Sequence, residues 1–434
     1  VFAISGDVSY GDLAEKASPT ISALYSDRWD TAAGEFGVLL NIADSTLKGM
    51  SHGIQSDAYV KYDAAVLPGA ERFVGVNDNV VWMPNGSNAT MKYDERDRRG
   101  YAAAFQWENP DDTILATVQF MRSDAELAWT ENAIKYQGGY YDEESEQDLR
   151  RTRPLEGTEF EFNDRGIFQG GFLTDSDGWR TADGCNNRAR VPRGYRSSDL
   201  DTCGTDLQPL DVAQWGHPFQ TDTRHKHTRT IIDDYGINLK FTPNEQWEYT
   251  LDLQYIEATT EDDDVTLMLA THAMQEYDTR GDTPSLRLVQ PWNGLREANA
   301  DLYAEGFPGF SGDPAGDSNY FQDPTSYWWQ SAMDHYERSE GEAFAGRIDV
   351  KHNLDAGLLR SISAGLRYAE PEQTVRFSTY NWGSLGPRWQ TDIYWADRDV
   401  VAGQPYEQIS WDDFHRGGVI EIPGGTTLHP TEQL

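Results

Sequence analysis

Residues Tyr235–Thr259 read YGINLKFTPNEQWEYTLDLQYIEAT. Tyr235, Ile237, Leu239 and Phe241 alternate with Gly236, Asn238 and Lys240, and Thr242-Pro243-Asn244-Glu245 then makes a turn. On the far side Trp247, Tyr249, Leu251, Leu253 and Tyr255 alternate with Glu248, Thr250, Asp252 and Gln254. Side chains repeating every second residue fall on one side of a strand, so the spacing predicts a hairpin with one apolar and one polar face. Each arm has roughly the 9–11 residues a tilted strand needs to cross a bilayer. Aromatics near the arm ends suit an interfacial girdle. A hairpin of a soluble sandwich reads the same way, so recurrence has to decide.

The pattern recurs. Phe36, Val38, Leu40 and Ile42 return from a turn at Thr31–Gly34, and Ile21, Ala23, Tyr25 and Trp29 lead into it. Tyr101, Ala103, Phe105 and Trp107 turn at Asn109-Pro110-Asp111-Asp112 into Ile114, Ala116, Val118 and Phe120. Phe344, Ile348 and Val350 turn at Asp355-Ala356-Gly357 into Ile362, Ala364, Leu366 and Tyr368. A strand also fits Phe2–Leu13, with Ser18-Pro19 breaking it. Between the hairpins lie long connections, about Lys48–Arg99, Ser123–His227 and Glu257–Glu342. Connections of roughly 50–100 residues compare with about 4–6 in compact domains. The second holds a small hairpin over Thr158–Leu173, and the third a short helix over Val265–Gln275 capped by Asp264. Short turns fall at one end and long loops at the other, the partition of outer-membrane barrels. Opposite the apolar residues stand Gln119, Asn238, Asp252, Gln254, Arg347 and Arg367, the expected polar lumen.

A net charge of -36 over 434 residues leaves no basic surface for nucleic acid, so no nucleic-acid partner is expected. Aromatic content of 12% argues against a disordered acidic chain. No apolar run approaches the roughly 18 residues of a membrane helix. Cys185 and Cys203 sit in one polar segment, which points to a loop disulfide formed in an oxidising compartment. No GxSxG, HExxH or P-loop occurs, so neither enzymatic activity nor a cofactor is expected.

The segments GEFGVLLNIADSTLK (34–48), WTENAIKYQGG (129–139), FTPNEQWEYTLDLQYIEATT (241–260) and GLLRSISAGLRYAEPEQTVRFSTYNWG (357–383) resemble TonB-dependent outer-membrane receptors of the large-loop kind. That resemblance implies an all-β, antiparallel up-and-down transmembrane β-barrel, of which this chain supplies about nine strands of an expected 22. It places the protein in the bacterial outer membrane, in contact with lipid. It also implies transport driven by the TonB complex through a plug, with a surface lipoprotein as a further partner. Neither plug nor terminal aromatic strand is visible, so the chain reads as an internal piece of a longer protein.

The connection Glu257–Glu342 holds 18 acidic residues against four arginines, and 11 aromatics. Aromatic faces suit stacking on sugar rings, whereas anionic chelates favour a basic vestibule. The expected ligand is therefore an oligosaccharide or other complex organic molecule, with a ferric siderophore or metal chelate as the alternative. Trp292, Trp328, Trp329, Trp382, Trp389 and Trp395 are the candidate stacking residues. A secreted carbohydrate-binding protein or glycoside hydrolase is the reading from another class. Asp262-Asp263-Asp264 and Asp313…Asp317 lack a full calcium-loop pattern, and His225 and His227 lack a third ligand.

Overall fold

The computed structural model describes residues 1–137, 141–142, 147–148, 152–155, 157–175, 217–289, 320–356, 359–385, 396 and 406–431. Nine long strands form one antiparallel wall: β1 (Phe2–Gly11), β2 (Lys16–Thr31), β3 (Gly34–Ser56), β4 (Gly86–Glu108), β5 (Ile114–Gln137), β6 (His217–Asn244), β7 (Trp247–Asp278), β8 (Trp328–Ala356) and β9 (Leu359–Phe377). Each pairs with its neighbour in sequence, from β1 to β9 in plain up-and-down order. Among the described residues the wall does not close, and β1 and β9 each leave one edge unpaired.

The four tight turns all lie at one end. Ala32 and Ala33 link β2 to β3, where Gly34 has φ +116° and a Cβ would stand 2.0 Å from the Glu108 carbonyl oxygen. Only glycine fits there. Between β4 and β5 the Asn109 side chain accepts from the Thr113 and Ile114 amides. Between β6 and β7 the Asn244 side chain accepts from Gln246 and Trp247. The β1–β2 turn, residues 12–15, sits at the opposite end and is also short.

Several boundaries correct the sequence reading. Pro19 lies inside β2, opposite Val8, and does not break it. The β2–β3 register begins at Thr20, so β3 does not need the amide that proline lacks. The helix expected over Val265–Gln275 is instead part of the upper half of β7, paired with β6 as far as Ala273 and with β8 as far as Ala270. The strands run well past the alternating stretches, so the long connections shrink to 57–85, 138–216 and 279–327. The expected hairpin over Thr158–Leu173 is present, with Glu161–Phe162 against Phe168–Asp175.

One face of the wall carries an exposed apolar band near the tight turns. The row Trp29–Phe36–Trp107–Ala116–Leu239–Leu251–Ile348–Leu366 crosses eight strands without a charge. Val38 and Leu253 share this face one row higher. Leu366 is 73% exposed and Ile348 48%, so these residues are not the core of a closed soluble fold.

The band also drifts across the register. The row through Ile42 is apolar on four strands (Ile4, Ala23, Ile42, Tyr101), then charged on five (Arg122, Asp233, Glu257, Glu342, Glu372). Nearer the turns, Ile114, Phe241, Tyr249, Val350 and Ala364 are apolar on those last five strands. The shift is about one residue per strand. With ~3.3 Å rise per residue and ~4.8 Å between strands, a band of constant height then crosses strands tilted by about 35°.

Toward the other end the same face is covered. Ala89, Ile134, Tyr136, Phe219 and Ala273 continue the parity of the band and are buried. They pack against Tyr62, Phe73 and Met83 of the first connection, Phe160, Phe168 and Leu173 of the second, and Trp411, Phe414 and Ile422 of the last segment. The described parts of these connections thus fold into a cap with an aromatic core.

Candidate functional site

The opposite, polar face is built row by row from the same strands. The row Gln106–Thr117–Asn238–Asp252–Arg347–Arg367 runs behind the apolar band. Gln106 Nε2 donates to Thr117 Oγ1 at 3.1 Å, and Asn238 Nδ2 donates to Asp252. One row on, Gln254 Nε2 donates to Asp234 at 2.9 Å. Gly236 leaves the space into which Gln119 projects. Arg347 grips both oxygens of Asp349 through Nε at 2.6 Å and Nη2 at 3.0 Å. Together Gln119, Asn238, Asp252, Gln254, Arg347 and Arg367 line a recess of about 320 Å³. The sequence pattern placed these six on one face. That they converge on a recess depends on register, which alternation alone does not reveal.

Higher on the polar face stands an ionic cluster. Arg224 holds Asp264 through Nε at 2.8 Å and Nη2 at 2.6 Å, and Lys226 holds Asp262 at 2.9 Å. Lys135 reaches Asp222 at 2.7 Å. Lys92 and Arg224 lie 4.4 and 5.2 Å from the Trp129 ring centre, a cation–π arrangement. Burial pushes the Asp222 carboxyl up, against the pull of Lys135. Glu131 is raised by burial and by the neighbouring Asp222 charge. The Asp264 carboxylate raises Arg224.

Asp262 and Asp264 are thus engaged by cations across the strands, and Asp263 pairs with Arg338 on the other face at 2.6 Å. Three consecutive strand residues cannot converge on one ion. His225 and His227 share a face but turn to Thr130 and Glu126. Among the described residues no group of three His, Cys, Asp or Glu is placed to hold a metal ion.

The candidate tryptophans divide. Trp329 is 2% exposed, packed with Leu269, Tyr327 and Leu428, and Trp328 is 4% exposed against Ala270. Neither offers a free face, so the stacking expectation fails for both: the apolar end of β7 beside them takes their rings as packing. Trp382 is different. It pairs with Met333 in register, lies on the polar face, and is 56% exposed. Trp292, Trp389, Trp395, Cys185, Cys203, Asp313 and Asp317 lie outside the described residues.

No family model, curated protein or solved structure matches the chain.

Proposed function

We propose that this chain is part of the wall of an outer-membrane β-barrel of the TonB-dependent receptor type, serving active uptake of an organic nutrient, with an oligosaccharide as cargo. The drifting apolar band carries this reading. A soluble protein would bury such a face, whereas lipid covers it at no cost, and the slope of the drift suits the 35–45° tilt of membrane barrels. Backbone groups at the open edges of β1 and β9 would be satisfied by further strands of the same barrel. The ionic rows begin where the band ends, at the height expected of headgroups.

The test is labelling in the native membrane. Single cysteines at Leu40, Val118, Ile237 and Ile348, in a background with Cys185 and Cys203 changed to serine, should resist a charged maleimide. Cysteines at Gln119, Asn238 and Asp252 should react. Equal reaction at both sets would end the membrane reading and return the chain to the soluble carbohydrate-binding class.

For the cargo, exposed Trp382 and the amide-rich recess support a sugar, since aromatic faces and amides together suit rings bearing hydroxyls. Trp382→Ala is expected to weaken oligosaccharide binding by about 2 kcal/mol. Calorimetry at low and high salt should give nearly the same affinity, because a neutral ligand has no charge to screen. A specific observation favours a second reading. Arg347 and Arg367 stand directly opposite each other on the recess, a like-charge pair that an anionic chelate would relieve. A steep loss of affinity with salt would select it.

A further inference from the structure

The upper end of β3 carries His52 on the face of the apolar band, ten residues beyond Ile42 and outside the band itself. Residues 411–418 lie across it. The Phe414 ring stacks on the imidazole at 5.0 Å and 11°, and the His415 amide donates to His52 Nδ1 at 3.0 Å. His52 Nε2 is buried and has no partner. The segment is bent tightly over the ring: His415 and Arg416 hold φ of 50° and 68°, and Gly417 and Gly418 follow at positive φ. Arg416 then closes the loop onto the β1–β2 turn through Asp12 at 2.6 Å. At its other end Trp411 Nε1 donates to Thr427 Oγ1 at 2.8 Å.

An imidazole nitrogen that accepts an amide proton must itself be unprotonated. The closed arrangement therefore requires neutral His52. A proton on Nδ1 would turn the acceptor into a donor facing another donor. It would also place a positive charge between Phe414 and the neighbouring Met50 and Ile54, which pack on the same apolar cluster. We propose that His52 makes residues 411–418 an acid-released clasp, closed on β3 at neutral pH and freed when the imidazole takes up a proton.

The charges around the ring agree. From β4 the residue opposite is Met91, which does not titrate. The clasp contributes His415, its ring 6.1 Å away, and Arg416, which is occupied by Asp12 from the β1–β2 turn. The clasp carboxylates Asp412 and Asp413 do not bond the imidazole, and the Asp412 backbone amide turns instead to Ser410. Burial, and secondarily His415, hold His52 below the ordinary histidine range. The open form therefore binds the proton more readily than the closed form. Closure is thus complete above the usual histidine pKa of about 6.5 and weakens as pH falls below it. Strained backbone at His415 and Arg416 adds to the tendency to open.

Hydrogen–deuterium exchange of the full chain tests it. After correction for intrinsic exchange chemistry, amides of 411–418 should exchange about fivefold faster at pH 5.5 than at pH 7.5. His52→Asn offers an amide oxygen where Nδ1 stood and does not titrate, so its clasp should show no such acid response. His415→Gln should keep the response. Should His52→Asn open the clasp at all pH values, the imidazole titration in the unaltered protein, followed by NMR of labelled histidine, decides instead: its midpoint must coincide with that of clasp exchange. Unchanged corrected exchange between the two pH values, an acid response surviving in His52→Asn, or unmatched midpoints would each overturn the proposal.

Discussion

On the proposed membrane reading, Leu253→Arg is expected to destabilise the wall by about 2–4 kcal/mol, the cost of a cationic side chain near the midplane of a membrane barrel. Leu253 lies at mid-height in the band, in the row Val38–Phe105–Val118–Ile237–Leu253. Ile237 and Gly346 flank it, so no carboxylate is at hand to take the new charge. Gln254→Arg is the control. It adds the same side chain one residue along the same strand, on the polar face beside Asp234, and should change stability by under about 0.5 kcal/mol. Urea titration of protein folded into phosphatidylcholine vesicles would read both. If the two substitutions cost the same, the band meets water and not lipid, and the membrane reading falls.

The contrast between adjacent residues also explains what the sequence disclosed. From Tyr235 to Tyr255 one face carries apolar side chains and the other polar ones, so alternation is legible and the hairpin turn falls within a residue or two of where the spacing puts it. The same holds for Phe36–Ile42, Tyr101–Phe120 and Phe344–Tyr368. Beyond Ile42, Phe120 and Tyr255 that contrast disappears. Both faces of β5 and β6 then carry charges, such as Glu126 against Arg229 on one and Glu131 against Arg224 on the other, and no period remains to read. The strands continue because backbone pairing continues, not because composition asks for it.

At the far end of β7 the opposite failure occurs. Val265–Met274 carries apolar residues on both faces, Val265, Leu267 and Leu269 on one and Met268, Ala270 and Met274 on the other, and such a run cannot be told from a helix by period. Its length and acidic start suggested a capped helix. The wall prevailed because β6 pairs with this stretch as far as Ala273 and β8 as far as Ala270, and Met274 pairs on with Val289.

The polar lining was legible residue by residue, since Gln119, Asn238, Asp252, Gln254, Arg347 and Arg367 follow from parity. Trp328 and Trp329 were not, because composition does not distinguish a ring that packs from one that binds. Their neighbours Leu269 and Ala270 come from a strand whose extent was itself hidden. Trp382 keeps its candidacy on a different basis, its exposure on the polar face.

The other large effect concerns the buried pair on that face. Asp264 is fully buried, and Arg224 donates two hydrogen bonds to it while keeping about a third of its own side chain exposed. Asp264→Ala would remove the carboxylate that takes both Arg224 hydrogen bonds, leaving only the longer-range pull of Glu131 and Asp222. Lys226 is close by, and Lys92 lies against the same Trp129 ring. Arg224 cannot escape by losing its proton, since arginine stays charged in proteins. Breaking a buried pair from one side costs about 3–5 kcal/mol, and the partial exposure of Arg224 places this case near 3. Removing both charges, as Arg224→Met with Asp264→Leu, should restore most of the loss, because neither desolvated ion remains. A double-mutant cycle on urea midpoints isolates the coupling between the two. A cost below about 1 kcal/mol for Asp264→Ala would mean that water reaches the freed guanidinium and screens it. The upper polar face would then be an open vestibule wall, not the sealed seam that the burial of Asp222, Asp262 and Asp264 describes.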